Sequence, residues 1–482
     1  MYKNYYEEII DTMILDEVSS EDKKIKELIS KLPLKQKRLA ILSILDKDRG
    51  MFLKIKNIIE NTNVSKTKHI SDVVEMLRDY VKVGDIEKKK FGEVMTPIQL
   101  VNDMLDTLPK EVWNNPNLKW LDPANGVGVF PSVVIQRLMN GLKDVITDEE
   151  FRYKHIVENM IHVVELQPKN MFLHLCAFDP EDKYLLNVYT GSFLTNEFNV
   201  HAKNIWNVDK FDVIVGNPPY QELKEGNKKS KAIWHYFVEK SIHSLTTNTG
   251  LMTMVHPNGW RNLKGIFKKT QQLMLSKDIL YLEMHNFKDG INTFGANFYC
   301  LQNSFNKITT KIKDVNNNIE YINLQNVLFI PNTNINKVYS LLYTNNENKI
   351  QIIYDRTLYG NDKQHMSKVK TTEHKYPCVY TIKKNNILNT WYSSIKLEHF
   401  NTPKLIITNG SAVTPYLDEN GDYGIMNFGF GIFDNVERLK KIKTALTNKN
   451  FIKEIMGFNG LGNKYDKNIM SLLHKAFWKE FV

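Results

Sequence analysis

The sequence predicts an α/β fold, a mainly parallel sheet covered by helices on both faces, with a helical segment before it and a mixed α+β region after it. Two observations carry this. Between about residues 91 and 305, short apolar runs alternate with amphipathic stretches, the pattern of strands joined by crossover helices. Outside that span the alternation is absent. The length, 482 residues, leaves room for more than one domain. The expected division is a helical accessory domain over 1–80, a catalytic α/β domain over 81–310 and a third domain over 311–482.

Taken in order, residues 1–80 read as helices. In "SSEDKKIKELISKL", Ser19 stands as an N-cap with Asp22 three residues on, followed by Ile25, Leu28, Ile29 and Leu32 at helical spacing. "ISDVVEMLRDYV" places Val73, Val74, Leu77 and Val81 on one face. No chemistry-bearing pattern occurs here, so core-forming helices are expected. The central strands are "LKWLD" (118–122), "IHVVE" (161–165), "NVYTG" (187–191), "FDVIVG" (211–216), "LMTMVH" (251–256), "ILYLEMHNF" (279–287) and "NFYCLQNSF" (297–305). Between them, "VNDMLDTL" and "KAIWHYFVEKSIHSL" carry apolar stripes at helical spacing. In such sheets ligands bind at the carboxyl ends of the strands. After about residue 310 come Asn-rich loops and strand-like pieces such as "PKLIITNG" and "GDYGIMNFGFGIF".

Composition narrows the function classes. No run approaches 18 apolar residues, which argues against a membrane span, and the N-terminus lacks a basic-then-apolar signal pattern. The three cysteines, Cys176, Cys300 and Cys378, lie far apart. That spacing suits neither a disulfide framework nor a Cys-rich metal site and fits a reducing cytoplasm. Net charge is +10, and residues 311–482 carry 23 Lys and Arg against 15 Asp and Glu. A polyanionic partner explains this excess, as does a Lys- and Asn-rich composition bias; charge alone leaves both open.

Three motifs fall at predicted strand ends. In "WLDPANGVGVF" (120–130), Asp122 ends a strand, and a turn with Gly126 and Gly128 leads into a helix. Such a turn lets backbone approach a cofactor and points helix donors at an anionic group. Pro131 stands where the dinucleotide fingerprint needs its third glycine, and the phosphate loop of nucleotide triphosphatases is absent. Glu165 ends the next strand, where a carboxylate commonly accepts bonds from ribose hydroxyls. The third motif, "DVIVGNPPYQELKEG" (212–226), runs from an apolar strand into Asn217-Pro218-Pro219-Tyr220. Two prolines fix two φ angles there. An exocyclic aromatic amine such as N6 of adenine is a poor nucleophile, and accepting both its protons as hydrogen bonds activates it. The side-chain oxygen of Asn217 and the carbonyl of Pro218 can be those acceptors, and Tyr220 a stacking face.

Together, Asp122-Pro-Ala124-Asn-Gly126-Val-Gly128, Glu165 and Asn217-Pro-Pro-Tyr220 resemble the S-adenosylmethionine-dependent N6-adenine DNA methyltransferases, in gamma-type motif order. "FGEVMTPIQLV" (91–101) resembles that family's motif before the glycine turn, in which Thr96-Pro97 opens a helix near the methionine end of the co-substrate. The resemblance spans about residues 88–305. It implies a Rossmann-like methyltransferase sheet and a C-terminal target-recognition domain. S-adenosylmethionine would be held by Thr96, Asp122, Ala124, Gly126, Gly128, Glu165, Ser192 and Phe193, with no metal. Asn217, Pro218, Pro219 and Tyr220 are implied as the catalytic element.

The chain departs from the family at two places. Asn125 and Val127 fill positions where the turn often reads Ala-Cys-Gly-Ser-Gly. In "TGSFL", Ser192 replaces the usual Asp before Phe193, which predicts weaker co-substrate affinity because a hydroxyl accepts less strongly than a carboxylate.

The implied activity is site-specific adenine methylation of double-stranded DNA by a cytoplasmic monomer or dimer. It acts alone or beside a cognate restriction endonuclease; no nuclease pattern stands out in the chain. Lys228, Lys229 and Lys231, after the catalytic motif, are candidate phosphate contacts. Tyr416, Tyr423, Phe428 and Phe430, set among Gly and Asn, are either base-contacting loop residues or core of their own domain. Two alternatives stay open: methylation of RNA or of a protein glutamine, and a non-catalytic DNA-binding protein on a methyltransferase fold.

Overall fold

The computed structural model describes residues 23–45, 56–58, 60, 64–83, 96–222, 231–263, 265–285, 295–325, 327–354, 358, 364–383, 386–408, 414–427, 429–456, 465 and 467–482. The chain divides into two compact units. One comprises Met1–Pro257, Lys269–Ile312 and Asn323–Gln325, the other Asn258–Lys268, Lys313–Ile322 and Asn326–Val482.

The first unit is built on strands β1 (Trp120–Asp122), β2 (Ile161–Glu165), β3 (Asn187–Thr190), β4 (Val213–Gly216), β5 (Leu251–Pro257), β6 (Asp278–His285) and β7 (Ala296–Gln302), in the order β3-β2-β1-β4-β5-β7-β6. The first five of that order are parallel, and β7 runs antiparallel between β5 and β6. Every residue of β1, β2 and β4 is buried, as strands covered on both faces must be. Strand order reverses at β1, which has β2 on one side and β4 on the other. The crevice at their carboxyl ends is therefore the switch point where such sheets bind ligands.

The N-terminal helices Lys23–Ser30, Leu34–Leu45 and Lys66–Val83 belong to the same unit. Ile70, Val73, Val74 and Leu77 share one core with Val133, Val134 and Leu138 of the helix Val129–Gly141. Arg38, buried, donates from Nη1 to the Asp179 carbonyl at 2.6 Å. The helical segment expected over 1–80 thus packs as a layer of the α/β unit, because its apolar stripe needs a partner face. The Ser19 cap lies outside the described residues.

The second unit holds two sheets. One has the order Gln351–Ile353, Gly429–Phe433, Lys404–Thr408, Tyr416–Asp418, and the other Met366–Ser367, Leu388–Ser393, Tyr376–Ile382, Gly424–Ile425. Helix Val436–Thr447 lays Leu439, Ile442, Ala445 and Leu446 against Leu405, Ile407, Phe430 and Ile432. This is mixed α+β structure; of the aromatics, Tyr416 and Phe430 lie in strands and Tyr423 lies outside one. Phe430 is fully buried, while Tyr416 and Tyr423 meet edge to face at 5.8 Å; Phe428 lies outside the described residues. Two features escape the sequence. Lys404 and Asp418, opposed across antiparallel strands, form a buried ion pair at 2.8 Å. Residues 258–268 belong to this unit although they sit far before 310. Arg261 holds them there by donating to the Ile330 and Pro331 carbonyls and to Asn332 Oδ1 at 2.7 Å.

Candidate active site

Asp122, Glu165 and Asn217, distant in sequence, converge because β2, β1 and β4 are parallel neighbours whose carboxyl ends share one edge of the sheet. The turn after β1 is held from both sides. Asp122 Oδ1 accepts from the Ala124 N–H at 3.0 Å, and the Asn125 N–H donates to the Val164 carbonyl at 2.9 Å. Glu165 is buried; Oε2 accepts from the Gly126 N–H and Oε1 from the Gln167 N–H, both at 2.8 Å. Its carboxylate therefore clamps the glycine turn.

The two glycines do different work. Gly126 has φ +55° and nothing within 4 Å of where a Cβ would stand, so backbone there faces open space. Gly128 has φ +101°, and a Cβ would lie 2.7 Å from the Phe178 ring and 2.8 Å from His174 Nδ1. It packs the turn closely on helix Pro168–Phe178. Asn125, at a departing position, donates to the Gly126 carbonyl at 2.9 Å and contacts His174 Nδ1 at 3.3 Å. Burial pushes His174 down to about 3, so it stays neutral.

Asp122 is the electrostatic centre of the turn. It is 2% exposed; Oδ2 is buried without a hydrogen-bond partner, and burial pushes its carboxyl up to about 8. Gly216, at the end of β4, leaves room for it; a Cβ there would stand 3.0 Å from Asp122 Oδ1.

Beyond Gly216, Asn217 is half-buried, Pro218 buried and Pro219 exposed. Asn217 Nδ2 donates to Thr96 Oγ1 at 3.0 Å, while its Oδ1 is buried with no partner. Thr96 is itself buried, immediately before Pro97 and helix Ile98–Leu105. Tyr220 has its hydroxyl buried and unpartnered, and burial pushes its ionisation well above the ordinary phenol range. The chain then returns on itself: the Ile233 N–H donates to the Tyr220 carbonyl at 3.1 Å and the Glu222 N–H to the Lys231 carbonyl at 2.8 Å. Exposed Lys231 sits on this ladder, its Nζ 5.5 Å over the Tyr236 ring. Lys228 and Lys229 lie outside the described residues.

An acceptor oxygen held unpaired at the end of β4, on an Asn-Pro-Pro-Tyr turn, beside an acidic glycine turn at the switch point, is the arrangement expected of an amine methyltransferase. Residues 190–294 match the family described as Eco57I restriction-modification methylase. Over that span the chain is similar to a restriction-modification methylase domain.

Among curated relatives, an uncharacterized adenine-specific methylase of Mycoplasma pneumoniae is 28% identical, over 44% of this chain and 68% of its own length. Modification methylase CviBIII of Paramecium bursaria Chlorella virus NC1A is 24% identical, over 46% of this chain and 53% of its own. The match thus spans about half of the viral enzyme. Among solved structures, the type IIL restriction-modification enzyme MmeI in complex with DNA aligns with TM-score 0.48 at 11% identity, over 98% of this chain and 78% of that one. The methylase match and the motif resemblance agree.

The remaining candidate residues are placed less simply. Ser192 Oγ accepts from the Leu194 N–H at 3.3 Å, so the hydroxyl shapes its own turn. The Gly191 N–H donates to the Glu165 carbonyl at 2.9 Å, tying this loop to β2. Phe193 is 1% exposed, packed on Phe198 and stacked on Phe237, with Lys240 Nζ 5.1 Å over its ring. The ring expected to stack on a cofactor is thus covered here. Lys240, which also donates to the Thr195 carbonyl at 2.7 Å, escaped the sequence reading. Its signal was a lysine three residues after Phe237, next to the apolar stripe of helix Trp234–Ser244.

S-adenosylmethionine fits the residues present. It brings an ammonium, a sulfonium and ribose hydroxyls. The turn offers a partnerless buried carboxylate oxygen on Asp122, a second carboxylate on Glu165 and open space at Gly126. Among the described residues no group of three His, Cys, Asp or Glu is placed to hold a metal, and no helix is long and apolar enough to cross a membrane.

Proposed function

We propose that this protein transfers a methyl group from S-adenosylmethionine to N6 of an adenine in double-stranded DNA. The observation that carries the reading is Asn217 Oδ1, buried and partnerless at the end of β4 while its amide nitrogen is occupied. S-adenosylmethionine supplies a methyl carbon made electrophilic by its positive sulfur. The N6 lone pair forms the new N–C bond, the S–C bond breaks with its pair returning to sulfur, and N6 then releases one proton to water. Asn217 Oδ1 and the Pro218 carbonyl accept the two amine hydrogens. They draw the nitrogen toward tetrahedral geometry and stabilise the positive charge that develops on it. Tyr220 stays a neutral phenol against the base. Asp122 faces the ammonium and Glu165 the ribose. A duplex adenine reaches this crevice only by leaving the base stack.

Residues 311–482 are proposed to read the target sequence. Within them, 364–396 contain six lysines and one acidic residue, Glu373, and form the Met366–Ser367, Tyr376–Ile382 and Leu388–Ser393 ribbon. Lys228, Lys229 and Lys231 are proposed to hold phosphates near the flipped base. Tritium transfer from labelled S-adenosylmethionine, offered DNA, RNA and protein in parallel, tests the reading. Label should enter adenine of duplex DNA. Label in RNA or in a glutamine would move the substrate class, and no transfer with retained DNA binding would favour the non-catalytic reading.

A further inference from the structure

We infer that Thr96 is a positioning residue for catalysis: its hydroxyl anchors the nitrogen end of the Asn217 amide and so holds the side chain in place for the substrate amine. The inference rests on the methyltransferase reading of Asn217 and deepens it.

The reason lies in the symmetry of the side chain. An asparagine amide presents oxygen at one end and NH2 at the other, with nearly the same shape. Turned one way, Asn217 offers an acceptor to the target amine. Turned the other way, it offers two N–H groups to a group that also carries N–H. The prolines after Asn217 stiffen the backbone, which sets the position of the Pro218 carbonyl but leaves rotation about the final torsion of Asn217 unrestrained.

Thr96 supplies that restraint. Its Oγ1 lies 3.0 Å from Asn217 Nδ2, the two residues are 121 positions apart, and Thr96 is 5% exposed. Asn217 Oδ1 is buried without a partner. One end of the amide is tied and the other has no partner. The resemblance had assigned Thr96 to the methionine end of the co-substrate, whereas the geometry turns its hydroxyl toward Asn217. Thr96 is also well placed to stay put, since Pro97 has φ −58° and begins a helix whose Ile98, Leu100, Val101, Met104 and Leu105 are buried.

The experiment uses the full chain and four variants: Thr96→Val, Thr96→Ser, Asn217→Asp and Thr96→Val with Asn217→Asp. Single-turnover methylation of a duplex and calorimetric affinity for S-adenosylmethionine are measured for each. Valine keeps the shape and removes the acceptor. Losing one preorganised hydrogen bond of this kind should slow methyl transfer about tenfold or more, with co-substrate affinity changed less than about twofold. Serine keeps the hydroxyl and should restore the rate to within about threefold. Aspartate at 217 has oxygen at both ends, so orientation no longer matters there; adding Thr96→Val to Asn217→Asp should cost little further. That non-additivity is what a structural role for Thr96 would not produce.

Three outcomes overturn the inference: an unchanged rate in Thr96→Val, a loss confined to co-substrate affinity, or equal Thr96→Val losses in both backgrounds. If the unaltered chain labels no adenine at all, the functional reading fails instead, so the two failures are distinct.

Discussion

Replacing Asp122 by Asn should flatten the dependence of stability on pH. The carboxyl is 2% exposed, one oxygen has no partner, and burial pushes it up to about 8 from 3.8. The Ala124 N–H pulls the other way, and Glu165 adds a smaller push upward. A raised folded-state value means the folded chain holds this proton more tightly than the unfolded chain. The group therefore costs nothing below pH 3.8. As pH rises from there it destabilises by about 1.4 kcal/mol per unit, and the loss levels off above about pH 8. Between pH 6 and pH 8 the unaltered protein should lose roughly 2–3 kcal/mol through this residue. Asparagine keeps the oxygen that accepts from Ala124 and has no proton to lose. Its unpaired NH2 carries a penalty of about 1–3 kcal/mol, the same at every pH. The readout is thus the difference in slope, not the absolute stability. Urea midpoints for the first unit's transition, at half-unit steps from pH 5.5 to 9, supply it. A bound ammonium should convert Asp122 to its charged form, so S-adenosylmethionine binding near pH 7 should release a proton in the unaltered protein and none in the variant. Calorimetry in buffers of different ionisation enthalpy measures this. Parallel stability curves for the two proteins would refute the burial argument.

Asn217→Ala should cut methyl transfer by roughly 10²–10³ with S-adenosylmethionine affinity nearly unchanged; near-normal turnover on DNA would sink the mechanism. Gly128→Ala and Gly126→Ala separate packing from access. The first should destabilise by about 3 kcal/mol, from its φ and from the clash with Phe178 and His174. The second should cost about 1–2 kcal/mol but weaken co-substrate binding more than the first, and equal stability losses would contradict the distinction. Lys404→Ala should destabilise the second unit by about 3–5 kcal/mol. It strands Asp418, and it leaves the His399 and Thr402 carbonyls without their 3.1 Å donor; denaturation followed by the unit's tryptophan signal checks it. Changing Lys228, Lys229 and Lys231 together to Ala should reduce the log–log salt slope of DNA binding by roughly 2.7; an unchanged slope would assign these lysines to solvent.

The sequence alone determined what local chemistry can write. Val213–Gly216 reads as a buried strand because the run is apolar throughout. Asn217-Pro-Pro-Tyr220 reads as a rigid turn because two prolines allow little else. Asp122 and Glu165 read as strand-end acids because apolar runs stop at them. Residues without a period were less legible. Helix Pro168–Phe178 is buried from Asn170 to Phe178, so it has no polar stripe to announce its period.

Only the tertiary structure decided the rest, because each remaining point depends on a distance between residues far apart in the chain. Pairing of β1 with both β2 and β4 brings Asp122, Glu165 and Asn217 to one crevice. The contact from Thr96 to Asn217 occupies the amide nitrogen. Phe178 and His174 make Gly128 a packing glycine while Gly126 faces open space. The apolar stripe of 66–83 predicts a buried face, but a stripe names no partner. Packing on Val129–Gly141 joins that helix to the first unit.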